Sequence, residues 1–211
     1  MQYLTGAVGT ENLVPFFQND NDGAKLSRYV TWIMVPLAER HPQTHEKQLQ
    51  LLKALQPLDT FKERCVNELR YQLNEMALSY GDPSPSAAYL RTWWTNINRF
   101  AALIHKAELV NFSEFAQRTL DYALKERSWR ESWGVEGRIS SDLRALDGHA
   151  SAAMHWLLEC GHSLYPVTTI EQSWSQWKEN LEWIVSQASL SDAIRKVCQR
   201  GLDKMNEISR A

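Results

Sequence analysis

Apolar positions along the chain repeat with helical period nearly from end to end. Leu26, Tyr29, Val30, Ile33 and Leu37 recur at spacings of three and four, which is one face of a helix. Pro36 is expected to kink or end that helix, and Pro42 to close the region. Leu49, Leu52 and Leu55 mark a second helix, stopped by Pro57. Thr60-Phe61-Lys62-Glu63 has the form of a capping box and opens a third, whose apolar face runs Cys65, Leu69, Leu73, Met76 and whose end falls at Gly81.

After the loop Asp82-Pro83-Ser84-Pro85-Ser86, a fourth helix carries Leu90, Trp93, Trp94, Ile97, Phe100, Ala101 and Ile104. A turn at Asn111 separates it from a fifth, with Phe115, Leu120, Ala123 and Leu124. A sixth is expected from about Ser141 to Glu159, ending near Gly161. The seventh opens on a second capping-box pattern, Thr169-Ile170-Glu171-Gln172, and carries Trp174, Trp177, Leu181 and Ile184. The eighth has Ile194, Val197, Gly201, Met205 and Ile208. No segment alternates apolar and polar residues in the manner of a strand.

The expectation is therefore an all-α fold. An irregular segment spans residues 1–23, and a single domain of about eight helices spans 24–211, packed as a bundle and antiparallel where loops are short.

Residues 128–139 interrupt the pattern. They contain two glycines and two tryptophans, Trp129 and Trp133, without helical period. Exposed Trp is costly, so both are expected to fold back on the body. Long anchored loops of this kind often carry function.

Composition narrows the function classes. At 211 residues one core buries roughly 70% of the unfolded surface. Neither metal nor disulfide is needed for stability. Formal net charge is −2, and Lys and Arg are scattered, so no basic face for nucleic acid is visible. Cys65, Cys160 and Cys198 are odd in number and widely spaced, which reads as buried reduced thiols. The first ten residues lack the basic start and apolar stretch of a secretory leader, and no segment has the length of a membrane span. The chain is expected in the cytoplasm, with no membrane or nucleic-acid partner and no cofactor.

Nine residues are tryptophan: Trp32, Trp93, Trp94, Trp129, Trp133, Trp156, Trp174, Trp177 and Trp183. Two readings stand side by side, a core of large packed side chains or an aromatic-lined pocket.

Candidate chemistry is sparse. P-loop, dinucleotide fingerprint, nucleophile elbow and HExxH are all missing. His155, Glu159 and His162 fall at helical spacings of four and three, a possible metal face. The helix end expected at Gly161 argues against it, and no metal is expected. His149 lies on a mostly apolar face with Leu146. It is either a satisfied core histidine or a general acid–base. Trp94 and Asn98 share a face one turn apart, and Trp93, Ile97 and Phe100 share another. An inward Asn96 or Asn98 either braces a neighbouring element or contacts a ligand.

The run Trp94-Thr95-Asn96-Ile97-Asn98-Arg99-Phe100-Ala101-Ala102-Leu103 resembles the W-x-N-L-N-x-F-x-A-x-L signature of a fungal family of unknown function, with Ile97 in place of Leu. Phe112, Phe115, Ala116 and the segment from Leu120 to Glu126 are similar to the stretch that comes after the signature in that family. So are Ala152-Ala153-Met154-His155-Trp156-Leu157, Gly161 and Trp174-Ser175-Gln176-Trp177-Lys178 to a later block. The resemblance covers roughly residues 24–208. It implies a helical intracellular protein, some of whose relatives are encoded near secondary-metabolite genes. It supplies no catalytic residues.

Two functions stand as expectations. The first is binding of an apolar small molecule in a Trp-rich helical pocket, with the chain acting as a cofactor-independent cyclase or isomerase. The pocket would be lined by Trp93, Trp94, Asn96, Trp129, Trp133 and Trp156, with Asn98 and His149 as its polar handles for catalysis. The second is a non-enzymatic interaction module using an exposed aromatic patch, with a homodimer as one form.

Overall fold

A long segment buried on almost every side sets the architecture. In the computed structural model, which describes residues 14–15, 17–18, 24–80, 88–126, 139–166 and 168–210, this is the helix Ala88–Lys106. Trp94, Asn96, Ile97, Asn98, Phe100, Ala101, Ala102 and Ile104 are all buried on it. A helix covered this completely must lie between other elements.

In chain order, α1 (Ala24–Tyr29) runs through a π-helical stretch, Val30–Met34, into α2 (Val35–Arg40). The 3₁₀ turn Pro42–Thr44 leads to α3 (His45–Leu55). A second π stretch, Phe61–Val66, leads into α4 (Asn67–Tyr80). The central α5 (Ala88–Lys106) is followed by α6 (Ser113–Asp121), which continues as the π stretch Tyr122–Glu126. Then come α7 (Ile139–Leu164), α8 (Thr168–Ser186) and α9 (Asp192–Ile208). No strand occurs among the described residues, and the all-α expectation holds. None of these helices is long and apolar enough to cross a membrane.

Residue pairs give the directions. Cys160 Sγ donates to the Ala102 carbonyl at 3.2 Å and Lys106 Nζ to Glu159 at 2.8 Å, while Thr95 lies opposite Gly148. Helices α5 and α7 therefore run parallel. Gly161 faces Ile208 and Gly201 faces Met154, so α9 runs parallel to α7. Leu181 faces Gly201, and Trp174 Nε1 donates to Ser209 Oγ at 3.1 Å, so α8 runs the other way. Sequential neighbours α7, α8 and α9 thus alternate in direction, as short loops require.

Helices α2, α3 and α4 pack on α5, and α1 is joined to α4. Glu68 of α4 accepts from Ser27 at 3.0 Å, Thr31 at 2.5 Å and Gln72 at 2.8 Å. Burial pushes this carboxyl up, but the three donors outweigh it and hold it below the usual carboxylate range.

Three local expectations need correction. Pro36 does not end the first helix, which runs on to Arg40. The π stretch ahead of it bonds Val35 N–H to the Val30 carbonyl, five residues back, and so accommodates the missing proline donor within a continuous helix. The same wide turn rotates the buried face by one residue. Met34 and Ala38 are buried where Ile33 and Leu37 were expected.

Thr60 makes no side-chain cap bond, because its own backbone is already helical (φ −74°, ψ −12°). The second capping box, at Thr169, falls on side chains outside the described residues, as do Gly81, the loop 82–86 and residues 128–138.

Gly161 does not end its helix, which continues to Leu164 and begins at Ile139. Its role is proximity. A Cβ there would meet Ile208 Cδ1 at 2.7 Å, so the missing side chain lets α9 approach. Gly201 does the same on the facing helix, where a Cβ would overlap Met154 Sδ.

These two glycines separate on substitution. Alanine gains about 1 kcal/mol of helix propensity at either site. At Gly201 the obstructing Met154 is fully buried, so overpacking of about 1–3 kcal/mol dominates. Gly201→Ala is expected to lower stability by up to about 2 kcal/mol in urea denaturation. Gly161→Ala meets only the far end of Ile208 and is expected to fall within about 0.5 kcal/mol of the parent.

Candidate functional site

Asn98 occupies the middle of the bundle with no solvent exposure. Its Oδ1 accepts from Trp156 Nε1 at 2.8 Å and from Thr119 Oγ1 at 2.9 Å. Its Nδ2 donates to the Trp94 carbonyl at 3.0 Å. One amide thus ties α5, α6 and α7 together. Aromatic rings surround it. Phe115 lies 5.9 Å from both Trp94 and Trp156, and Trp156 meets His105 edge-on at 6.0 Å. These distances and tilts are those of favourable aromatic pairs.

The other polar candidates lie elsewhere. Asn96 donates to the Glu39 carbonyl at 2.8 Å, joining α5 to the end of α2. Two positions apart on one helix, Asn96 and Asn98 brace different neighbours. Trp93 is half-buried, with the Arg40 guanidinium 5.0 Å from its ring centre. His149 is buried against Tyr122, with ring centres 4.6 Å apart. The structure therefore gathers Trp94, Asn98 and Trp156 into one network and leaves Trp93, Asn96 and His149 outside it. Trp129 and Trp133 lie outside the described residues. Trp174 and Trp177 are also buried, and the Trp177 N–H donates to Asp121 at 3.0 Å.

His155, Glu159 and His162 do share one helix, because α7 passes Gly161. They do not converge. Glu159 holds Lys106, and His162 lies 3.2 Å from Glu207. Among the described residues no group of three potential ligands is placed to hold a metal.

The three thiols are buried, and burial pushes each up to about 12. None is poised as a nucleophile.

Sequence reasoning passed over His105. This side chain joins the aromatic network to a surface cleft of about 750 Å³ between the end of α5, the turn after it, the end of α7 and Lys204 of α9. The Phe112 N–H donates to His105 Nδ1 at 3.0 Å, which fixes the proton on Nε2. Burial lowers its pKa and keeps the ring neutral. Val110 and Leu158 supply apolar wall, and the Lys106–Glu159 pair spans one side. The cleft arises where α5 stops. Glu108 takes a left-handed conformation (φ 57°), and Leu109 N–H bonds back to the Ile104 carbonyl at 3.2 Å, the Schellman pattern. Asn111 Oδ1 then accepts from both the N–H and the hydroxyl of Ser113 to start α6. The turn expected at Asn111 is present, while the left-handed position that ends α5 carries a Glu where Gly is usual.

A second buried polar region includes His45 and Gln48, one turn apart on α3 and without solvent exposure. His45 Nε2 bonds to the Ala38 carbonyl at 2.8 Å, and its ring packs on Phe100 at 5.3 Å. Burial lowers His45 to about 4; its bond to Ala38 opposes this, while Arg99 and His155 push the same way. Burial and Arg99 likewise lower His155 to about 4 against the pull of Glu159.

This geometry makes two measurable demands on stability. Asn98→Ala leaves the Trp156 and Thr119 donors buried without an acceptor, each costing about 1–3 kcal/mol. A loss of about 3–5 kcal/mol is expected in urea denaturation, against about 1–2 kcal/mol for Asn96→Ala. For pH, His45 and His155 bind a proton near 6.5 when unfolded and near 4 when folded. Between those values the unfolded chain holds more protons, so stability falls as pH falls from about 6.5 to about 4 and then levels off. At about 1.4 kcal/mol per unit, His45 alone costs of order 3 kcal/mol. Guanidinium denaturation at stepped pH checks this, and His45→Gln is expected to flatten the slope.

No curated protein and no solved structure matches the chain. The family described as "Protein of unknown function (DUF3632)" matches residues 32–204, which covers α5, the Asn98 network and the cleft. The chain belongs to that family.

Proposed function

We propose that this chain is a small-molecule-binding protein whose ligand sits in the cleft at the end of α5, against the wall formed by the tryptophan network. The observation that carries this is the position of His105. It lines the cleft on one side and packs on Trp156 on the other. The cleft volume of about 750 Å³ lies within the range of small-molecule sites. Asn98 locks Trp156, and hence the wall behind His105, into one arrangement, which lowers the entropic cost of binding. The resemblance to fungal proteins encoded beside secondary-metabolite genes supports a metabolite as the ligand. The three free buried thiols suit a reducing compartment such as the cytoplasm. The reading asks for binding alone and assigns no chemistry to His149 or Asn98.

One observation favours the interaction reading. Trp32 is 76% exposed and Tyr71 is 59% exposed, on neighbouring segments clamped by Glu68. Association with a second chain would bury both rings.

Native mass spectrometry of the purified chain after incubation with fractionated metabolite extract tests the proposal. A one-to-one adduct is expected, accompanied by a change in Trp emission through the His105–Trp156 contact, and weakened by His105→Ala. Absence of any adduct and of any emission change across the fractions overturns it. Concentration-dependent sedimentation abolished by Trp32→Ser would place the function in self-association instead.

A further inference from the structure

We infer that the ligand of this cleft carries a protonated amine beside an apolar body, and that Glu108 is the residue that pairs with it. The inference rests on the binding reading above and names its ligand class.

The reason lies in which charges of the cleft are already committed. The two lysines in the lining are Lys106 and Lys204. Lys106 Nζ lies 2.8 Å from Glu159, and Lys204 Nζ lies 2.8 Å from Glu207. Each imidazole has a contact of its own. His105 Nδ1 accepts the Phe112 N–H, and His162 Nε2 stands between Lys204 and Glu207 at 2.9 Å and 3.2 Å. Among the described residues the Glu108 carboxylate has neither a hydrogen bond nor an ion pair. Glu108 is exposed and is the carboxylate of the lining that has no partner, Glu159 being held by Lys106, and the complement of its charge is a cation.

The backbone fixes where that charge stands. Glu108 sits at the left-handed position that ends α5, held by its own N–H to the His105 carbonyl at 2.9 Å and by the Leu109 bond to Ile104. Glycine is the residue this conformation favours. The apolar part of the ligand is set by Val110, which is almost fully buried, and the half-buried Leu158. A metal cation is a poor fit, because one monodentate carboxylate does not supply a coordination sphere.

Three probes with the same phenyl body separate the possibilities: phenethylamine, phenethyl alcohol and 3-phenylpropionate. Each is titrated into the full chain by isothermal calorimetry and ligand-observed NMR at pH 7.5, with Glu108→Gln and Glu108→Gly alongside. Expected is the order amine, alcohol, acid, with the amine favoured over the acid by about fivefold or more, as for a partly exposed ion pair. Glu108→Gln is expected to remove that preference and its salt dependence without changing the melting temperature. Glu108→Gly, which relieves the left-handed strain, is expected to lose amine binding while melting at the same or a higher temperature. Equal or tighter binding of the acid, amine binding that survives both variants, or no binding of the amine overturns the inference. A metabolite adduct that forms in the extract experiment but lacks an amine overturns it too, while leaving the binding reading standing. Failure of both probes and extract removes the binding reading as well.

Discussion

A buried amide left half-bonded costs free energy, and the centre of this bundle is organised around meeting that cost at Asn98. Asn98 sits where apolar packing would otherwise be uninterrupted, and its oxygen and nitrogen find partners on three helices at once. A misplaced amide loses on the order of 1–3 kcal/mol for each unmet group, beyond what apolar packing alone would lose. The registers of α5, α6 and α7 are therefore coupled. The Cys160–Ala102 bond and the Lys106–Glu159 pair then fall along the same interface. The position of the cleft is set in turn, because α5 and α7 reach its rim in that fixed alignment.

Much of the architecture was legible in the sequence because helical period is a strong local signal. The faces of α3, α4, α5 and α8 were readable from Leu49, Leu69, Ile97 and Trp177. Helix ends were less so. Gly161 has the signature of a stop, yet it continues a helix because its function is to admit Ile208. Thr60 has the signature of a cap, yet its backbone is already helical. The rotation of the first helix past Ile33 was hidden because nothing in a hydrophobic pattern announces a π turn.

The site was legible only in part. Trp94, Asn98 and Trp156 were singled out from residue type and spacing, and they do meet. Their joint placement depends on α5 and α7 running parallel, which a one-dimensional pattern does not encode. His105 and Glu108 escaped notice because neither belongs to a motif. One matters through a backbone N–H seven residues on, the other through a backbone angle.

The three π-helical stretches among the described residues have a consequence of their own. Each holds one residue more than a regular helix of the same span would need. Val30–Met34, Phe61–Val66 and Tyr122–Glu126 are thus places where an extra residue is accommodated inside a helix rather than in a loop. A relative one residue shorter at any of them could close the wide turn and keep every downstream contact. Alignments of this family that push length differences out into the loops would then misplace the buried face by a third of a turn.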